Sequence, residues 1–305
     1  MYLSAAATLA AAPGPGPVRL PLRVRGITAR RFGPGRRFVR GGPVPWLEHY
    51  FADLSEIHGV GLRPGFLDGT TRNSYAEMAA EAVGALGPFG GPVDLLATAH
   101  AVEDSDMERS PTGYVCELLP GDPLPVGVSD QGSAAPFTAL RLTGEYVRPG
   151  GLARGVLIAL DQSSRPYTAP VPPERAVTAD CAVGLLLTAD EDADTRLAQW
   201  TGVRPGAVAG LLAGALAAEP APGVLLAGAG VDPGRDLPGA AGGAGRLVTT
   251  ARGLPCTGVW EELARLVPAP GGAPERVTLV EYERALGHLC LCSVTLRPRE
   301  EETGR

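Results

Sequence analysis

The chain has no lysine. All 27 of its basic residues are arginine, set against 33 acidic ones, and the formal net charge is -6. A phosphate footprint needs a basic surface, so this balance argues against nucleic acid as a partner. Cysteine is scarce too. Cys116, Cys181, Cys256, Cys290 and Cys292 are odd in number and show no CxxC spacing, which disfavours a disulfide framework and a zinc site. Buried, reduced thiols are the expectation. No apolar run approaches the ~18 residues of a membrane-spanning helix. The stretches "GAGVDPG" and "GGAGRL" lack the spacing and the acidic residue of a dinucleotide site. The start, "MYLSAAATLAAAPGPG", has no basic residue ahead of its apolar stretch, so it reads as a first strand of a cytoplasmic chain rather than as a leader.

Glycine (42) and proline (30) are abundant instead, and they fall mostly between apolar runs. They punctuate many short elements in a chain long enough for two domains or one large α/β domain. The region "APGPGPVRLPLRVRGITARRFGPGRRFVRGGPVP" reads as irregular. Helices are expected around "WLEHYFADLSEIHG", ending at Gly59, and over "SYAEMAAEAVGALG", where Ser74 and Glu77 form a capping-box pattern. The stretch "PVDLLATAHAVEDSD" is a buried strand entering a polar loop. After a short element at "GYVCELL" come the strand "LPVGVSD" and the helix "AAPFTALRLTGEYVRPGG", stopped by Pro149–Gly150. The strand "ARGVLIALDQSS" follows.

Beyond the proline-rich "RPYTAPVPPERAVTAD", the strand "CAVGLLLTAD" restarts the alternation. The helix "GAVAGLLAGALAAE", the strand "GVLLAGAGVD" and the helix "GVWEELARLV" come next. The chain closes on "RVTLVEYERALGHLCLCSVTL", a hairpin hinged at Leu286–Gly287. This alternation predicts a layered α/β fold on parallel or mixed sheets, with its two halves repeating one pattern.

Two strands end alike, in "VSDQGS" and "LDQSS". Ser133, in the first, stands just before a helix and fits two roles, helix cap or nucleophile. Asp130 and Gln131 flank it, either orienting a base or an amide of the substrate or simply forming the turn. His288, after Gly287, reads as an ordinary strand histidine. His100 ends a strand and reads as bonded to nearby backbone. His49 and His58 read as helix residues without a site. Glu103, Asp104 and Asp106 read as a solvated loop rather than a metal cluster.

The order of elements resembles the thiolase superfamily, in particular its ketosynthase III branch. The family's nucleophile stretch, "DVSAACSGFVYAL", aligns with "QGSAAPFTAL" so that Ser133 takes the place of the cysteine. "VDLLATAHAVEDSD", "GLARGVLIALDQSS", "TADCAVGLLLTAD" and the closing hairpin resemble further family segments, the third of these opening the second half. The resemblance implies a five-layered αβαβα fold of two duplicated halves, 1–168 and 169–305. It also implies an acyl-CoA or a phosphopantetheine-bound acyl group as substrate, no other cofactor, and a homodimer formed through the strand ending in "ALDQSS". By the same resemblance Gly287 would supply an oxyanion donor, His288 would approach Ser133 as general base, and the loop at His100 would line the substrate channel or a dimer contact.

The sequence departs from the family at its other catalytic places. Ala227–Gly228 stand where the histidine is expected, and Leu254 where the asparagine is. An ordinary condensing ketosynthase is thereby excluded. The leading expectation is an acyltransferase working through Ser133, with CoA or an acyl carrier protein as donor, in a specialised biosynthetic pathway. The alternatives are a non-catalytic partner of an active ketosynthase, forming a heterodimer with it, and a small-molecule-binding scaffold.

Overall fold

The computed structural model describes residues 16–37, 46–66, 71–106, 109–239 and 245–298. The strand expected at the very start of the chain lies outside these residues. Among the described residues, thirteen strands and seven helices follow in order: β1 (Val18–Arg19), β2 (Leu22–Phe32), β3 (Arg36–Arg37), α1 (Trp46–His58), β4 (Thr71–Arg72), α2 (Tyr75–Leu86), β5 (Leu95–His100), α3 (Pro111–Cys116), β6 (Leu124–Val128), α4 (Ala135–Gly150), β7 (Arg154–Asp161), β8 (Asp180–Ala189), β9 (Arg196–Trp200), α5 (Val208–Ala217), β10 (Val224–Ala227), α6 (Pro233–Asp236), β11 (Arg246–Thr249), α7 (Gly258–Arg265), β12 (Glu275–Glu283) and β13 (His288–Leu296).

The strands form two large sheets, ordered β2-β8-β7-β5-β6 and β1-β9-β13-β12-β10-β11. In the first, β5 runs parallel to β6 and β7, while β7–β8 and β8–β2 are antiparallel. The second repeats this with β10 parallel to β11 and β12, and with β12–β13 and β13–β9 antiparallel. Mapping β2, β5, β6, β7 and β8 onto β9, β10, β11, β12 and β13 preserves both chain order and strand direction. The helices α4 and α7 take equivalent places, each leading into the central strand of its half. This is a structural duplication without sequence identity.

Apolar periodicity sorts the helices into layers. One core cluster joins α2 (Met78, Val83, Leu86) to the outer face of the first sheet. A second joins α5 (Val208, Leu212) to the outer face of the other. Between the sheets lies the largest cluster, with Phe137 of α4 against Trp260 of α7 at a ring-centroid distance of 5.0 Å. Burying two such rings contributes several kcal/mol, on the order of 1.5–3 per side chain. The central strands of the sheets are apolar on both faces, as in Val156–Leu160 of β7, because each sheet is covered on both sides.

Local rules account for several boundaries. Ser74 caps α2 by accepting the Glu77 backbone N–H at 3.2 Å, an interaction worth about 1 kcal/mol. α1 stops at Gly59, which has a left-handed φ of 62°. α4 extends through Pro149–Gly150 and stops at left-handed Gly151 instead. The arginine-rich stretch expected to be irregular holds the long strand β2. Its apolar positions Leu22, Val24 and Ile27 stay buried because a bulge between Val24 and Gly26 resets the alternation.

Two further expectations are corrected. "CAVGLLLTAD" is β8, and it pairs between β2 and β7, so it belongs to the first sheet rather than opening the second. The strand ending in "ALDQSS" is β7, hydrogen-bonded on both edges by β5 and β8. Its backbone therefore cannot pair with another chain, and the exposed edge beyond β5 is β6. Among the described residues no helix is long and apolar enough to cross a membrane.

Candidate functional site

The two halves meet where each sends a carboxylate from the end of a strand to the start of the other's buried helix. Asp161, last residue of β7 and 1% exposed, accepts the Thr257 N–H at 2.8 Å and the Thr257 hydroxyl at 2.7 Å, just ahead of α7. It also takes the Cys256 N–H, at 3.2 and 3.1 Å to its two oxygens. Glu283, last residue of β12 and 3% exposed, accepts the Ser133 N–H at 3.2 Å, just ahead of α4. Its other oxygen takes the Ala285 N–H at 3.3 Å and lies 3.5 Å from Arg175 Nε. The two helix starts are stitched together by the Cys256 thiol, which donates to the Gly132 carbonyl at 3.3 Å.

Gly132 makes this approach possible. Its φ is +55°, and a Cβ there would sit 2.1 Å from Glu283 Oε2. A side chain at 132 would exclude the carboxylate from Ser133. Ser133 lies in a single 3-10 turn and is buried, yet its hydroxyl has no hydrogen bond among the described residues, and α4 has no side-chain cap. Capping, one of the two roles the sequence allows, has no bond to carry it.

The hairpin end presents more than one ionisable group. Alternation along β12 places Glu281 and Glu283 on the same face as core residues Val277 and Leu279. His288 is the cross-strand partner of Glu283, and Cys290 that of Glu281. Burial lowers the His288 pKa from 6.5, while Glu283 pulls it back up. Burial pushes the Glu281 carboxyl up to about 7, against hydrogen bonds from the Tyr282 and Gly230 N–H groups. A Cβ on Gly228 would fall 1.8 Å from Glu281 Oε2. The space that a side chain at Ala227–Gly228 would enter is thus filled by Glu281. Leu254 is buried in the apolar core.

The other expected residues divide. Ser133 meets the Gly287–His288 hairpin through Glu283, with no Ser133–His288 hydrogen bond among the described residues. Gly287 holds the turn, with a φ of 65° and its carbonyl accepting the Val203 N–H at 2.9 Å. Gln131 lends its side-chain oxygen to Thr138 at 2.5 Å, and Gln199 of the second sheet reaches the same hydroxyl at 3.1 Å. That makes Gln131 part of a bridge between the halves. Asp130 is exposed at a left-handed φ of 61° and accepts from Ser129. His100 is tied by Nδ1 to Val102 O at 2.8 Å and lies against Tyr75, with its pKa lowered by burial. The second serine signature is structural, since Ser163 seats both N–H and hydroxyl on Asp180 Oδ1 at 2.6 and 2.7 Å.

Asp104 is not solvated as expected. It takes the Tyr75 N–H at 2.8 Å and Gln162 Nε2 at 2.7 Å, and burial raises its pKa to about 6. No group of three potential metal ligands occurs among the described residues. Sequence reasoning missed Glu283, Glu281, Asp161 and Arg175. Carboxylates alternating with apolar residues in "VTLVEYE" were a usable signal, because charges on a core face are rare unless paired.

No family model matches the sequence, and no curated protein does. Solved structures do match. ChlB3, described as an acyltransferase, superposes with a TM-score of 0.58 at 16% identity, over 91% of this chain and 98% of its own. A 3-oxoacyl-(acyl-carrier protein) synthase from Burkholderia xenovorans gives 0.59 at 12% identity, over 94% and 97%. The 3-oxoacyl-(acyl carrier protein) synthase III from Pseudomonas aeruginosa gives 0.55 at 15%, over 93% and 100%. At such identities the likeness is one of fold. The chain has the thiolase-like α/β fold of ketosynthase III-type enzymes, in two sheets with helices on and between them.

Proposed function

We propose that this protein is an acyltransferase in which Ser133 accepts an acyl group from CoA or an acyl carrier protein and passes it to a nucleophilic acceptor in a specialised pathway. The observation that carries the reading is the Ser133 hydroxyl. Its residue is 5% exposed at a helix start, the hydroxyl has no hydrogen bond among the described residues, and the N–H of the same residue meets Glu283, the cross-strand partner of His288. A hydroxyl becomes a useful nucleophile only when a proton acceptor is at hand, and the hairpin end supplies candidates in Glu283 and His288. An oxygen ester on serine suits transfer to an amine, an alcohol or a second carrier.

The surroundings support an anionic carrier. A cavity of about 430 Å³ is lined by Arg235, Arg252 and Arg284 together with Glu174 and Asp232. Arg284 follows Glu283 and Glu174 precedes Arg175 in the chain, and Arg235 and Arg284 already meet Asp236. Arginine in such places suits phosphate groups. If the chain pairs with another copy or with a related ketosynthase, the exposed edge of β6 is where a sheet can be extended.

One observation favours the non-catalytic reading. Glu281 fills the space beside Gly228, and the Ser133 N–H, which could otherwise serve an oxyanion, is already taken by a carboxylate. Intact-protein mass spectrometry with a panel of acyl-CoAs and acyl carrier proteins separates the two. Acyltransfer predicts a mass gain in the wild type that Ser133→Ala abolishes. No gain with any donor, together with co-purification of a ketosynthase, would install the silent-partner reading in its place.

A further inference from the structure

We propose that Glu283 is the general base for Ser133, a role that rests on the acyl-transfer reading above.

Three places in the molecule share one geometry. Thr257 and Ser163 each place a backbone N–H and a side-chain hydroxyl on one oxygen of a carboxylate, at 2.8 and 2.7 Å on Asp161 and at 2.6 and 2.7 Å on Asp180. Ser133 has the same relation to Glu283, but only the N–H is engaged. In the first two cases the hydroxyl has rotated about χ1 onto the oxygen that already holds its own N–H. The same rotation delivers the Ser133 proton to Glu283 Oε2. No backbone movement is needed.

Glu283 is also bound as a base should be. Its contacts lie at 3.2, 3.3 and 3.5 Å, longer than the hydroxyl contacts at Asp161 and Asp180. An ionised carboxylate has about four acceptor positions, so one remains for the hydroxyl. The groups facing it are Arg175, which supplies the counter-charge, His288 across the strand pair, and Glu281 and Cys256 in the same layer. The missing Cβ of Gly132 keeps its path to Ser133 open.

The step balances. As Ser133 Oγ forms a bond to the thioester carbonyl carbon, its proton passes to Glu283 Oε2. The C–S bond then breaks, and the departing thiolate takes that proton, leaving a free thiol and a restored carboxylate. In the second half an amine or alcohol acceptor gives its proton to Glu283 as it attacks the ester, and Ser133 Oγ leaves with it.

The test measures two rates at Ser133 in the wild type, Glu283→Gln, Glu283→Asp, His288→Gln and a Ser163→Ala control. One is acylation by acyl donors, and the other is labelling by a fluorophosphonate probe, which needs no acyl donor. Loss of a general base predicts both rates falling roughly 100-fold or more in Glu283→Gln, with Glu283→Asp in between and Ser163→Ala within about twofold of wild type. Should Glu283→Gln unfold, as its melting temperature would show, the Glu283→Asp rates decide. Wild-type rates in both Glu283 variants, or a loss confined to His288→Gln, would overturn the assignment. Probe labelling that depends on Glu283, without acylation by any donor, would instead defeat the acyl-transfer reading and leave the base in place.

Discussion

The two helix starts at the centre of the molecule are built to one plan and left in different states. At α7, Thr257 gives both its N–H and its hydroxyl to Asp161, and Cys256 adds a third donor. At α4, Ser133 gives only its N–H to Glu283. The first is a closed network: a buried carboxylate met by short bonds, locking one half onto the other. The second leaves a hydroxyl in reserve beside a loosely held carboxylate. A duplicated fold thus holds one copy of the motif closed and leaves the hydroxyl of the other without a hydrogen bond among the described residues.

The largest effect is expected where the motif is closed. Asp161→Ala would strand the Thr257 and Cys256 donors in the core and should cost about 3–5 kcal/mol in urea unfolding. Unchanged stability would break the comparison at its base. Thr257→Val should cost roughly 1.5–3 kcal/mol, since it leaves Asp161 short of a partner. Ser133→Ala should stay within about 0.5 kcal/mol of wild type, because the hydroxyl bonds nothing among the described residues. Equal costs for these two variants would mean that the Ser133 hydroxyl is engaged after all.

Gly132→Ala sharpens the contrast from the backbone. A Cβ 2.1 Å from Glu283 at φ +55° should destabilise by about 1–3 kcal/mol and push the carboxylate away from Ser133. Fluorophosphonate labelling should fall with it.

A smaller effect concerns pH. The Glu281 carboxyl is held up at about 7 against an ordinary 4.5, so the folded chain keeps a proton that the unfolded chain has released. Its contribution to stability is fully present below about pH 4.5 and is lost as pH rises to about 7, at no more than about 1.4 kcal/mol per pH unit. Asp161, also near 7, acts in the same direction. Melting curves of Glu281→Gln should decline less than wild type over that window. Parallel curves would show that Glu281 does not titrate there.

Much of this was legible in the sequence. Helices α1 and α2, the buried strands β5 and β7 and the closing hairpin follow from apolar periodicity with Ser74, Gly59 and Gly287 as punctuation. Strand β2 was hidden because its arginines interrupt the alternation and its bulge shifts it by a residue. β9 and β11 are short, and pairing partners define them more than composition does. For the candidate site, alignment to a known motif pointed to Ser133, and His288 was proposed as a histidine beside a turn. Glu283 and Asp161 escaped because their role lies in contacts between the halves. No spacing along one chain encodes a carboxylate at residue 283 meeting a backbone N–H at residue 133.

The most direct test of serine acylation is to locate the acyl group by tandem mass spectrometry after a single turnover with an acyl donor. Modification is predicted at Ser133, with Thr257 and Cys256 unmodified although they occupy the equivalent helix start. An acyl group on Cys256 or Thr257 with Ser133 untouched would contradict the assignment.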